Sequence, residues 1–358
     1  MVNLKNCTVE QFLQKTENKP IVCFCAGEKL LEFCERFHLE KQILYAVDNF
    51  KHGQSLKIRD AELPVIAMEQ LDKRCQDAVC VITSMRHARE ITEQLDSIPV
   101  CDNVTVYAYE LLQEEGGEIK WKKNISAVIP KKIHYCWFGN GVMPKHFRDN
   151  IRSWEKYCPD YEIVEWNERN YDVSKSTYMR QAYEKKAWGF VPDYARLDIV
   201  NAYGGIYFDT DVRILRSFDS LLSYELFCGF EHNGSVNFGQ GFGAKKNHSI
   251  LQEMLREYEN LSFIREDGSL NLTPSPVYQT ASLQRHGLKK NGLVQVKKDF
   301  IVLSPEYFSP VNEFGYGKPS SVTFSVHQYA ATWYNEEQKK GKEEIIGHYE
   351  YILNRIGG

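Results

Sequence analysis

The chain has no long apolar run. Nothing in its 358 residues approaches the roughly 18 consecutive apolar positions of a membrane-spanning helix. Met1 to Pro20 lacks the apolar centre of a secretory signal. The expected location is therefore the cytoplasm, with at most a peripheral place at the inner face of the membrane. An excess of one charge is also missing. The net charge is −4, and basic residues fall only in short pairs such as Lys131-Lys132 and Lys185-Lys186, which argues against nucleic acid as a partner. Cysteine is present ten times, but no two cysteines have metal-ligand spacing. They read as reduced, buried small hydrophobes.

From Pro20 to about Glu110, short β-branched runs alternate with polar-faced helical stretches. Ile21–Cys25 leads into a helix over 28–37, then Ile43–Val47, Asp48, a strand around Val79–Ile82 and a helix over 86–95. Such alternation predicts a small doubly wound parallel sheet. A strand, a glycine and an acidic residue about 20 positions on suggest a dinucleotide fold. The fingerprint needs several glycines, and Ala26-Gly27-Glu28 offers one. We therefore expect residues 1–122 to form a Rossmann-like domain for positioning or assembly, through self-association (a homo-oligomer) or docking, without NAD or FAD. The polar break Glu114-Glu115-Gly116-Gly117 marks the boundary, and residues 123–358 form the second domain.

What that second region has is a strand running into two aspartates: Tyr203-Gly204-Gly205-Ile206-Tyr207-Phe208-Asp209-Thr210-Asp211. Side chains at i and i+2 of an extended segment point the same way. Asp209 and Asp211 would converge, and like charges tolerate this only around a cation or in water. Hard oxygen ligands suit Mg²⁺ or Mn²⁺, which leaves positions open for phosphate.

Other residues gather around this pair in the sequence. Asp193 and Arg196 share a helix face at i and i+3. They read either as an intrahelical salt bridge or as holders of phosphate and ribose. Trp137, ending a strand beside Gly139-Asn140-Gly141, is core or a stacking platform. His327, following a strand-like run, is structural or a metal ligand.

Four blocks in order carry a resemblance: Ile133-His134-Tyr135-Cys136-Trp137-Phe138-Gly139; Ser153-Trp154 through Tyr161 to Asn167; Asp193 through Asp211; and His327 to Trp333. Residues 130–335 resemble glycosyltransferase family 32, the DXD-containing sugar transferases of the GT-A fold, which include capsule and surface-polysaccharide enzymes. The resemblance implies that Trp137 stacks on the base, with His134 in the same nucleotide-sugar-binding block. Asp193 and Arg196 would hold the ribose or donor sugar, and Tyr207 would line the donor pocket. Asp209, Asp211 and His327 would bind the metal, and Trp333 would touch or close over the diphosphate. Many relatives carry two histidines where this chain has His327-Gln328. The implied activity is metal-dependent (Mn²⁺ or Mg²⁺), retaining transfer from a nucleoside-diphosphate sugar, UDP-linked, to a glycan or lipid-linked acceptor. The alternatives are a metal-dependent nucleotidyltransferase or phosphohydrolase, and a non-catalytic nucleotide- or glycan-binding protein.

Overall fold

The structure is a computed structural model that describes residues 1–113, 119, 126–330 and 336–357. The chain divides into two compact units: Met1–Gly117 together with Asn335–Gly358, and Glu118–Tyr334.

The first unit is built on a seven-stranded sheet. Its strands are β1 (Asn3–Lys5), β2 (Ile21–Phe24), β3 (Ile43–Val47), β4 (Ser55–Ile58), β5 (Ala61–Ile66), β6 (Val79–Ile82) and β7 (Thr105–Ala108). The order is β1-β7-β6-β2-β3-β5-β4, parallel except for the β4–β5 hairpin. Every residue of β2 and β6 is buried, as strands covered on both faces require. The helix Glu28–Phe37 follows Gly27, and helix Ala88–Ser97 follows β6.

The helix Glu336–Gly357 belongs to this first unit, which corrects the expectation that everything after 122 joins the second domain. Its residues Ile345, His348, Tyr349 and Ile352 are buried. The Arg355 guanidinium donates to the Val2 carbonyl at 3.1 Å and pairs with Asp96, and the Tyr349 hydroxyl donates to Glu110 at 3.2 Å.

The second unit has a mixed sheet of β8 (Lys132–Cys136), β9 (Glu162–Trp166), β10 (Gly205–Tyr207), β12 (Leu226–Gly229), β13 (Phe242–Ala244), β14 (Gln295–Val296) and β15 (Ile301–Leu303). The order is β14-β15-β12-β13-β10-β8-β9. A two-stranded antiparallel sheet pairs β11 (Val212–Ile214) with β16 (Ser325–His327). Both units are thus α/β, the class expected from the sequence, and a sheet of this kind with its acidic motif past a strand's carboxyl end has the GT-A layout.

Strand β10 lies parallel to β8, with Ile206 opposite Ile133 and Tyr207 opposite His134. It is fed by the helix Val191–Tyr203, whose Pro192 suits the first turn, where a missing N–H costs nothing. That helix ends at Gly204, at φ +65° with Pro130 so close that a Cβ would lie 2.9 Å from its Cδ. Only glycine makes this exit without strain. Alternation along β10 sends Ile206 and Tyr207 into different apolar clusters, the first including Trp154 and Phe208 and the second Phe242 and Val200.

Candidate active site

Asp209 and Asp211 do not lie on the strand. β10 stops at Tyr207, and the two aspartates occupy a turn closed by Val212 N–H to the Asp209 carbonyl at 3.2 Å. Here the chain leaves the main sheet for β11. The i, i+2 alternation of an extended segment therefore does not orient them, which corrects the geometric premise read from the sequence. Each carboxylate instead has partners of its own.

Asp209 is held by three groups. Arg196 Nη2 lies 3.2 and 3.3 Å from its two oxygens, the Tyr207 hydroxyl donates at 3.0 Å, and its own N–H reaches the Gly239 carbonyl at 2.9 Å. Arg196 also pairs with Asp193 at 3.3 Å and lies over the Tyr207 ring at 5.2 Å. The intrahelical salt bridge therefore exists, and Arg196 extends it to Asp209. Burial opposes the guanidinium's charge, but Asp209, Tyr207 and Asp193 outweigh it and hold Arg196 charged. Burial dominates at Asp193, whose carboxyl is pushed up to about 6 although Arg196 opposes the shift. The Asp209 side chain keeps 31% of its surface exposed, so it can still accept from a ligand.

Asp211 faces the other way in chemistry. Its Oδ2 lies 3.4 Å from His327 Nε2 and accepts the Ala330 N–H at 3.0 Å, while its carbonyl accepts from Gln328 N–H. The pairing of Val212 with His327 across β11 and β16 delivers the imidazole. Burial raises the Asp211 carboxyl, but His327 and the Ala330 amide more than offset it, leaving it below its ordinary value. Burial would also lower His327. Asp211, with Glu231 at 3.7 Å from Nδ1, pushes it instead to about 10. Tyr329 packs its ring on His327 and adopts φ +48°, a strained conformation for a tyrosine that lets Ala330 reach Asp211.

Among the described residues, no group of three or more His, Cys, Asp or Glu side chains gathers to hold a metal ion. Asp211 and His327 nonetheless fit one. A carboxylate suits Mn²⁺ or Mg²⁺, which takes one or two protein ligands and completes its shell with phosphate and water, and the imidazole, a poorer partner for Mg²⁺, would give up its proton to join it.

The other residues named from the sequence divide. Trp137 is half-buried, with its indole N–H on the Gly141 carbonyl at 2.7 Å and its edge against Phe147. It also packs against the apolar cluster that includes Trp154 and Phe208. His134 is not available to a ligand: Nε2 bonds the Gly204 carbonyl at 2.9 Å and Nδ1 accepts from Trp166 at 3.2 Å, and burial lowers it to about 4. It pins the helix exit to the sheet. Tyr207 is fully buried behind Asp209 and supports that carboxylate rather than lining a pocket. Trp333 lies outside the described residues.

Three further residues meet these side chains. Glu231 reaches His327 because the Phe230–Val236 bridge folds the chain back after β12. Gly239 abuts Asp209, and Ser275, starting the helix Ser275–Arg285, meets Arg196 at 3.5 Å. They lie 20 to 66 positions from Asp211 or Asp209, and the fold brings them together.

Residues 144–228 match the glycosyltransferase sugar-binding region containing a DXD motif. That region holds Asp193, Arg196, Asp209 and Asp211. The chain is 31% identical over 145 residues to inositol phosphoceramide mannosyltransferase 3 of Schizosaccharomyces pombe, covering 39% of this chain and 40% of that one. It is 23% identical over 222 residues to mannosyl phosphorylinositol ceramide synthase SUR1 of Saccharomyces cerevisiae, covering 59% and 53%. The chain thus spans about half the length of these curated relatives. Of solved structures, PaToxG glycosyltransferase aligns at 19% identity and a TM-score of 0.37, over 46% of this chain and 71% of that one.

Proposed function

We propose that this chain transfers a hexose from a nucleoside-diphosphate sugar to a hydroxyl of a glycan or lipid-linked acceptor, with a divalent cation. One observation carries the reading. Within a matched DXD sugar-binding region, Asp209 is locked to Arg196 while Asp211 is joined to His327 at the same turn. Two adjacent carboxylates with different partners can do different work. Asp209 accepts from donor hydroxyls, and Asp211 with His327 holds the cation. That cation, Mn²⁺ or Mg²⁺, would supply charge neutralisation for the departing diphosphate.

The remaining residues orient the donor. Trp137 stacks on the base, as the family resemblance implies, and Asp193 and Arg196 set the position of Asp209. Trp333 is placed by the family resemblance at the diphosphate. Transfer with retention by front-face attack agrees with that resemblance. A UDP-linked donor and a surface or capsular polysaccharide product are the resemblance's version of the substrates. The names of the fungal relatives favour a second version, a mannosyl donor and an inositol-phosphate lipid acceptor. Ten unpaired cysteines suit a reducing compartment, and we place the reaction in the cytoplasm, at the membrane's inner face where the acceptor is a lipid. Among the described residues, no helix is long and apolar enough to cross a membrane.

A panel of UDP- and GDP-sugars incubated with Mn²⁺ tests this. Metal-dependent sugar release that Asp211→Ala abolishes supports it. Cleavage that yields a sugar phosphate would point to the phosphohydrolase or nucleotidyltransferase reading, and sugar release that ignores EDTA would overturn the role given to the cation.

A further inference from the structure

The helix Ser275–Arg285 touches the donor machinery at two levels. Ser275 and Gln279, at i and i+4, share one face. Ser275 Oγ meets Arg196 Nη1 at 3.5 Å. One turn later, Gln279 Oε1 accepts the Phe238 N–H at 2.9 Å, and Thr280 Oγ1 accepts the Val236 N–H at 2.9 Å. The helix therefore holds the segment leading to Gly239, whose carbonyl in turn takes the Asp209 N–H.

The bond to Phe238 fixes which end of the Gln279 amide is spent. Its oxygen is committed, and its NH₂ is left over. Gln279 is only 2% exposed, and Nε2 is buried without any hydrogen-bond partner. Arg196 Nε is buried without a partner as well. Native proteins seldom leave a buried donor unmet, because it forfeits its hydration for nothing. The Arg196 donor stands on a group that pairs with Asp209, itself a part-exposed acceptor, and the Gln279 amide is bonded to Phe238, next to the Gly239 whose carbonyl takes the Asp209 N–H. A sugar hydroxyl matches this set, since it accepts from an N–H and donates to a carboxylate at once.

We infer that Gln279 is a specificity-determining residue whose side-chain NH₂ donates to a hydroxyl of the transferred sugar. This rests on the glycosyl-transfer reading above and adds to it a residue outside the matched region. The nucleotide and diphosphate parts of the donor do not use this amide. Its removal costs affinity only when the sugar is attached. A buried water on Nε2 would give no such dependence.

Titration calorimetry with Mn²⁺ compares UDP with UDP-glucose and GDP with GDP-mannose, on the wild type, Gln279→Met and Gln279→Glu. Glutamate keeps an oxygen for Phe238 N–H and replaces only the donor, so it decides the matter should the methionine variant fold poorly. For the preferred donor, both variants should lose about ten- to a hundredfold in affinity for the nucleotide sugar. The parent diphosphate should bind within about twofold of wild type, and the ranking of sugars by kcat/KM should change. Equal losses for both ligands, or none for either, overturn the inference alone. A wild type that binds neither diphosphate overturns the glycosyl-transfer reading, and this inference with it.

Discussion

Gly239 faces the Asp209 carboxylate so closely that a Cβ would overlap Oδ2 and stand 3.1 Å from Cγ. The glycine is there to let the backbone approach a functional side chain. Gly239→Ala should displace Asp209 from Arg196 and Tyr207, lowering turnover by about 10²–10³-fold while the protein still folds. Turnover near wild type in a folded Gly239→Ala protein would show that Asp209 can do its work from a shifted position.

Asp211 and Asp209 should separate in metal dependence. Asp211→Asn removes the charge beside His327 and should abolish Mn²⁺ binding measured by paramagnetic resonance with UDP present. Asp209→Asn should cut turnover by about 10²–10³-fold yet leave the Mn²⁺ signal. Identical metal loss in both would return the cation to a site shared by the two carboxylates.

The His327–Asp211 pair gives a pH dependence with a fixed sign. The folded-state imidazole is raised to about 10 from an ordinary 6.5. Its stabilisation is complete below about 6.5 and disappears as pH rises through about 10. His327→Gln should therefore destabilise the metal-free protein by about 1.5–3 kcal/mol at pH 6, and by little near pH 10. Melting temperatures of the two proteins across that range check it. A gap that widens with pH contradicts the pairing.

Trp137 and His134, three residues apart, should fail in opposite ways. Loss of a base stack costs about 1–3 kcal/mol, so Trp137→Ala should raise the donor KM by roughly ten- to a hundredfold and barely move the melting temperature. His134→Ala breaks the bonds to Gly204 and Trp166. It should lower the melting temperature and leave KM nearly unchanged. Measuring both quantities on both variants distinguishes a ligand contact from a structural pin.

The first unit should not bind NAD or FAD. The Asp48 carboxylate, in the position of a ribose ligand, accepts the N–H groups of Ala26, Phe50 and Lys51 at 3.0 to 3.1 Å. It is spent on joining two loops. Calorimetry with NAD on the full chain should show no heat, and micromolar binding would reverse this reading.

The parts legible in the sequence were those with local causes. Helix 28–37 and strand 43–47 follow from periodicity, and they stand at their expected limits. The DXD, Asp193 and Arg196 were legible because they sit close together in sequence and share a neighbourhood in space. Direction was not legible. Tyr207 and His134 belong to the right strands, but strand register turns both into the core. Glu231 was silent, because a glutamate in a turn looks like solvated surface until tertiary packing buries it.

The helix Glu336–Gly357 completes the first unit, although all of 118–334 intervenes. During synthesis, the helix Ala88–Ser97 and the first strand must wait without this partner until the second unit has been made. The first unit is thus completed last. A nick before Glu336 would leave the second unit's chain whole and strip the first of the helix that ties down Val2 and Asp96.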